Sequence, residues 1–204
     1  DKLLLGLNKI DWSNQLKTLQ KNWIGKSAGT EIYFKEVETG DQLNVFTTRP
    51  DTLFGVTFLV MAPEHPKVME YVKGTKYEAP VKNFLERTNK LSELDRISKE
   101  KDGLFIGRYV INPATGDKIP LYIGNFVLPG YGTGIVLADA HDQRDFEFAR
   151  KYDIPLRFVI SPDGAPIDAN KANRAILSDG KLFNSGEFSG MHNREALPLM
   201  IDWL

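Results

Sequence analysis

"VFTTRPDTLFGVTFLVMAP" (residues 45–63) is the stretch on which the fold turns. Its first residues end the run "QLNVFTT" (42–48), in which apolar and polar residues alternate, the pattern of a strand with one face packed and one face wet. Its last residues form "GVTFLVMAP" (55–63), apolar enough for a strand buried on both faces. Between them lies a polar corner in which Pro50 forces Arg49 towards extended geometry and fixes the turn. A half-buried strand joined to a fully buried one predicts a mixed α/β fold. We expect a central mixed β-sheet or partial barrel flanked by helices.

Working outward, "TEIYFKEV" (30–37) alternates in the same way, and Glu38-Thr39-Gly40-Asp41 supplies a hairpin turn into 42–48. Upstream, "DWSNQLKTLQKNWIGKSAG" (11–29) predicts a helix capped by Ser13, with Leu16 and Leu19 inward and a stop near Gly25 and Gly29. Residues 66–102 read as helical, with Lys82, Glu86, Glu93 and Lys99 on a solvated face. "GLFIGRYVINPATGDKIPLYIGNFVL" (103–128) predicts a hairpin around Ala114-Thr115-Gly116-Asp117. "GTGIVLADA" (132–140), "DQRDFEFARKY" (142–152) and "PLRFVI" (155–160) read as a βαβ-like unit. A turn-rich excursion and an amphipathic helix from about Asn193 close the chain. Trp12, Trp23 and Trp203 fall at helix positions and are expected in the core rather than as base-stacking platforms.

The 204 residues, 42% of them hydrophobic, are enough to bury a core as one domain spanning 1–204. The formal net charge of −1 leaves no basic field over the whole surface, so a nucleic-acid partner would need a local patch or other parts of a longer protein. Absence of cysteine excludes disulfides, thiol nucleophiles and cysteine-ligated zinc. The longest apolar runs fall far below the ~20 residues of a membrane span, and no signal-peptide pattern opens the chain, so no membrane partner is expected. The chain opens at Asp1 without methionine and closes on "MIDWL", which reads as a piece of something longer. Residues 1–29 and 190–204 would then lie near the junctions.

Two polar corners carry the candidate chemistry. In the first, Thr47, Thr48 and Thr52 each offer a donor and acceptor on a stiff stem, suited to holding an ester or carbonyl. Arg49 adds a fork of donors, for a ligand or for a carboxylate that shapes the loop. The same letters suit a structural turn capped by Asp51. In the second corner, Gly130, Gly132 and Gly134 flank Tyr131 and permit a tight turn. The strand then delivers Asp139 to a helix that begins near His141 and Asp142, with Asp145 in its first turn. Those carboxylates are equally at home as an ordinary acidic first turn or as a cleft partner for a substrate ammonium. No HExxH spacing, nucleophile elbow or dinucleotide fingerprint is present, so no metal site or serine triad is expected. His65 reads as a turn residue and His192 as a cap.

Taken in order, "NWIGKSAG", "VFTTRPDTLFGVTFLVMAPEHP", "NFVLPGYGTG" and "AHDQRDFEFARKY" resemble the editing domain inserted in leucyl-tRNA synthetase, over nearly the whole chain. The threonine-rich first motif is similar to the bacterial and organellar branch. The resemblance implies the editing-domain fold of the valyl-, isoleucyl- and leucyl-tRNA synthetases, and a cytoplasmic or mitochondrial setting. It implies hydrolysis of the ester joining a wrong amino acid, norvaline or isoleucine, to the 3′-terminal adenosine of tRNA(Leu), with leucine spared. Thr52 would be the steric gate against leucine, and Thr47 and Thr48 would bond around the reacting ester and its water, supported by Arg49. Asp145 would grip the α-ammonium; Tyr131, Asp142 and His141 would line the pocket and the adenosine. No cofactor is implied for editing; ATP and Mg²⁺ would serve only the parent enzyme's synthetic site. The partners implied are the tRNA(Leu) 3′ end, the mischarged amino acid and the rest of the synthetase chain. One departure stands out. Where the family usually reads Val-Pro-Ala or Val-Pro-Gly, this chain reads Asp139-Ala140, one residue shorter. A one-residue loss flips side-chain phase unless a bulge absorbs it, and an acid then stands beside the pocket wall. A tRNA-docking module with a retuned or decayed pocket is the alternative reading.

Overall fold

Period-two burial organises the first hairpin. In the computed structural model, which describes residues 2–24, 29–98, 100–130 and 132–204, β1 (Thr30–Glu36) and β2 (Gln42–Thr47) pair antiparallel. Ile32, Phe34, Leu43, Val45 and Thr47 point inward while their neighbours stay wetter. The turn closes through Glu36 N–H to the Asp41 carbonyl at 2.8 Å. Beyond the polar corner comes a 3₁₀ turn (Pro50–Gly55), then β3 (Phe58–Met61), buried on both faces as its composition requires. Leu59 and Met61 enter the main core under α3 (Pro66–Val72) and α4 (Glu78–Thr88), whereas Phe58 and Val60 pack on the opposite side. A short α5 (Glu93–Ser98) leads to β4 (Gly103–Ile111) and β5 (Lys118–Gly124), the expected hairpin. Gly107 sits at the β4 bulge with φ +76°, where a Cβ would collide with the Tyr77 ring.

β6 (Ile135–Ala138) pairs antiparallel with β3, and β3 pairs parallel with β5, so the six strands run β2-β1-β4-β5-β3-β6. The end strands β2 and β6 approach each other without pairing, which curls the sheet into a partial barrel with an open seam. Next come α6 (Gln143–Lys151), the two-stranded β7 (Ile160–Ser161) with β8 (Lys181–Leu182), and α7 (Asn193–Trp203). The mixed α/β fold expected from the strand patterns is the one observed.

Three local expectations fail. The βαβ-like unit does not form: β6 is antiparallel to its neighbour, and only Ile160 of 155–160 enters a strand, in the separate small sheet. The amides of Val159 and Ile160 instead donate to His141 Nε2, at 3.0 and 3.3 Å. The helix α2 (Asn14–Ile24) has the Ser13 cap, with Leu16 N–H donating to Ser13 Oγ at 3.3 Å, yet Leu16 and Leu19 are exposed rather than inward. With α1 (Lys2–Gly6), it lies off the sheet, so its apolar stripe meets no core among the described residues. Gly25 lies outside the described residues. Nor are the tryptophans core. Trp12 and Trp23 are exposed for the same reason, and Trp203 is 43% exposed, one ring edge resting on Phe54 and Phe188.

A buried asparagine fastens the polar corner to the second hairpin. Asn112 Nδ2 donates to the Leu53 carbonyl at 2.9 Å and the Val56 carbonyl at 3.2 Å, while its Oδ1 accepts from Ala114 N–H. Removing it strands buried carbonyls at the end of the 3₁₀ turn. Asn112→Ala is expected to cost about 2 kcal/mol, seen as a lower urea midpoint with an unchanged m value.

Candidate active site

A cleft of about 480 Å³ opens at the seam of the sheet. One wall is the end of β2 and the corner beyond it: Thr47, Thr48, Arg49 and Thr52. The other is the end of β6 and the start of α6: Asp139, His141, Asp142 and Asp145. Apolar residues Phe126 to Leu128, from the segment after β5, complete the lining. Both polar corners of the sequence thus meet in one cavity. Tyr131 lies outside the described residues.

The first corner is rigid because its own polar groups are cross-tied. Thr47 Oγ1 accepts Arg49 N–H at 3.0 Å, leaving its hydroxyl hydrogen to donate elsewhere. Thr48 is exposed at the mouth. Thr52 is 1% exposed, and its hydroxyl donates back to the Arg49 carbonyl at 3.0 Å. Arg49 spends its fork on Asp51, with Nε to Oδ1 and Nη2 to Oδ2 both at 2.9 Å. Of the two uses foreseen for Arg49, shaping the loop is the one observed. Asp51 is fully buried and also accepts Asn193 Nδ2 at 2.8 Å, a bond across the length of the chain.

The second corner separates its residues by role. Asp142 caps α6, its Oδ1 accepting the amides of Arg144 at 2.8 Å and Asp145 at 3.2 Å. His141 is spoken for on both ring nitrogens. Nε2 accepts the Val159 and Ile160 amides, so Nδ1 carries the hydrogen and donates to the Ile176 carbonyl at 2.9 Å. Burial holds its pKa below the usual histidine value, and the neutral ring is a structural clasp rather than a free base. Asp139 is buried and Oδ1 accepts His141 N–H at 2.6 Å; burial raises its pKa. Asp145, 2% exposed, pairs with Arg144 Nε at 3.0 Å, and the Arg144 guanidinium lies over the Phe126 ring. Burial first, then the neighbouring Asp142 and Asp139, push Asp145 up to about 8 against the pull of Arg144. A buried carboxyl with so raised a pKa, lining a cleft, is a candidate functional group. Among the described residues no group of His, Asp or Glu is arranged to hold a metal ion, and no helix is long and apolar enough to cross a membrane.

The apolar wall and Arg144 were not singled out from the sequence as site residues. The signal was present in the alternation of "GTGIVLADA", which sends Val136 and Leu137 to different sides, but both line the cleft because the strand is a seam edge. The clasping roles of Asn193 and Asn112 had no local signal, and Asp51 was legible only as the cap of a structural turn.

A family model described as "Leucyl-tRNA synthetase, editing domain" matches residues 21–204. A leucine–tRNA ligase of Nitratidesulfovibrio vulgaris is 47% identical over 207 aligned positions, taking in 99% of this chain and 25% of that protein. Another, from Petrotoga mobilis, is 47% identical over 208 positions, with 100% of this chain and 25% of that protein. The chain therefore spans about a quarter of the length of these curated relatives. Among solved structures, a ternary complex of LeuRS, tRNA and LeuAMS from Agrobacterium radiobacter superposes with a TM-score of 0.67 at 36% identity. That match covers 87% of this chain and 22% of that one. This chain belongs to the leucyl-tRNA synthetase editing-domain family.

The raised pKa of Asp145 makes a stability prediction. Its folded value lies above the unfolded one, so the folded state holds an extra proton between about pH 4 and pH 8, and stability falls as pH rises through that window. Asp145→Asn removes this titration. The melting temperature of the variant minus that of the wild type is expected to increase from pH 5 to pH 9; a difference flat with pH would refute the burial argument.

Proposed function

We propose that this leucyl-tRNA synthetase editing domain is an aminoacyl-tRNA ester hydrolase that removes norvaline or isoleucine from the 3′-terminal adenosine of tRNA(Leu) and spares leucine. The observation that carries this reading is the meeting, across one cleft, of a rigid hydroxyl corner and a buried carboxyl. An aminoacyl ester has an ester carbonyl flanked by an α-ammonium, and those two features call for these two walls. Asp145 takes the ammonium. Thr47 and Thr48 donate to the carbonyl and hold the water that attacks its carbon. The carbon–oxygen bond to the ribose then breaks, and the ribose oxygen leaves with a proton. Arg49 acts through Asp51 by keeping the corner in place. Asp142 sets the start of α6, and Tyr131 is assigned to the adenosine.

His141 is engaged on both ring nitrogens, so the reading needs no strong side-chain base. Positioning of water and stabilisation of the oxyanion carry the rate. Proofreading of this kind answers a physical limit: one methylene changes binding to an apolar synthetic pocket by only ~1–3 kcal/mol, so a second sieve is needed. Thr52 is the sieve here, its bulk closing the cleft to a leucine side chain. The hydrolysis uses no cofactor, with ATP and Mg²⁺ reserved for the synthetic site of a longer parent enzyme. The working partners are the tRNA 3′ end and the rest of that chain, in the cytoplasm.

Two substitutions test the reading in the intact protein. Asp145→Ala is expected to slow deacylation of norvalyl-tRNA(Leu) by about a hundredfold or more, the scale of losing a desolvated charge partner. Unchanged hydrolysis would remove Asp145 from the role. Thr52→Ala is expected to release leucine from correctly charged tRNA(Leu); survival of leucyl-tRNA in that variant would show that the gate lies elsewhere.

A further inference from the structure

We propose that Asp139 makes the side-chain end of the cleft polar, so that the site prefers esters of aliphatic amino acids that carry a hydroxyl. The inference rests on the hydrolase reading above and adds a substrate class to it. Asp139 follows β6 directly, is 5% exposed and lines the same cleft as Thr52. Its Oδ1 accepts His141 N–H at 2.6 Å, and the Thr52 hydroxyl lies beside it. Thr52 carries one hydroxyl hydrogen, within reach of both the Arg49 carbonyl and the Asp139 carboxyl.

The groups whose charges reach Asp139 are His141, Asp142, Arg49 and Asp145, and burial, the largest influence on it, raises its pKa. In either protonation state the carboxyl oxygens keep lone pairs to accept a further hydrogen bond. A hydroxyl on the bound side chain therefore finds an acceptor next to the gate. A methyl in the same place blocks solvent from a buried carboxyl and offers it nothing. That asymmetry is the strong form of discrimination: a site built to bond a hydroxyl rejects the analogue lacking it far better than an apolar pocket rejects an added hydroxyl. The rival account is that Asp139 only closes a local turn onto His141 N–H. An asparagine serves that turn equally well and keeps a donor and an acceptor; a valine serves neither purpose.

The experiment measures kcat/KM for deacylation of tRNA(Leu) chemically charged with β-hydroxynorvaline, whose hydroxyl cannot close a five-membered lactone on its own ester, or with norvaline, using the intact protein and its Asp139→Val and Asp139→Asn variants. The wild type is expected to favour the hydroxylated ester by at least about tenfold. Asp139→Asn should keep that preference, and Asp139→Val should lose or invert it. A wild type that treats both esters alike, or favours norvaline, overturns the proposal and leaves the hydrolase reading standing. An unchanged ratio in Asp139→Val does the same. If Asp139→Val fails to fold, the wild-type ratio and the Asn variant decide. A folded wild type that hydrolyses neither ester overturns the hydrolase reading together with this one.

Discussion

The carboxylate of Asp51 holds the molecule's functional corner in place. It is fully buried, and a buried charge is tolerated only when paired and hydrogen-bonded. Arg49, two residues before it, and Asn193, at the start of the last helix, supply those partners. The first bond folds the polar corner on itself. The second ties that corner to a segment 142 positions away. Asn193 also donates to Asp179 and accepts from Gly180 N–H, so one side chain joins the corner, the late loop and α7. Removing Arg49 or Asn193 leaves the buried Asp51 carboxyl short of a partner.

The cleft owes its existence to incomplete closure. A sheet of six strands curls until β2 and β6 approach, but they do not pair. Along a paired seam, backbone amides would satisfy one another and leave no room. Along this one, the edges carry side chains suited to a ligand instead: hydroxyls from β2 and its corner, carboxyls from β6 and α6. Beside the cleft, His141 accepts the amides of Val159 and Ile160 on the side of that segment where no strand pairs. Asp142 does the same for the first amides of α6. Thr47, Thr48, Thr52, Asp139 and Asp145 line the same cleft beside these structural groups.

Where reading from residues succeeded, the signal was local and repeated. Alternation in 30–36 and 42–47 determines which side chains face the core, because successive residues of a strand must point to opposite faces. The unbroken apolar run at 58–61 determines that β3 is covered on both sides. Reading failed where a segment's partner decides the outcome. Leu16 and Leu19 form an apolar stripe, yet a stripe says nothing about what covers it. Residues 155–160 have the composition of a strand, but a histidine ring took the place of the neighbouring strand.

For the site, the residue types and their two clusters were decided by the chain itself: hydroxyls on a stiff stem near Pro50, carboxyls near the start of a helix. The sequence also carries the family resemblance and the shortened segment at Asp139-Ala140 where its motif departs from the usual pattern. Only the tertiary structure decided that the two clusters share a cavity, that Asp142 caps while Asp145 is buried, and that Arg49 belongs to Asp51. The physical reason is that a side chain's chemistry is intrinsic, whereas its burial and its charged neighbours depend on chain segments brought together from far apart. Those two quantities set the protonation and availability of every group in the cleft.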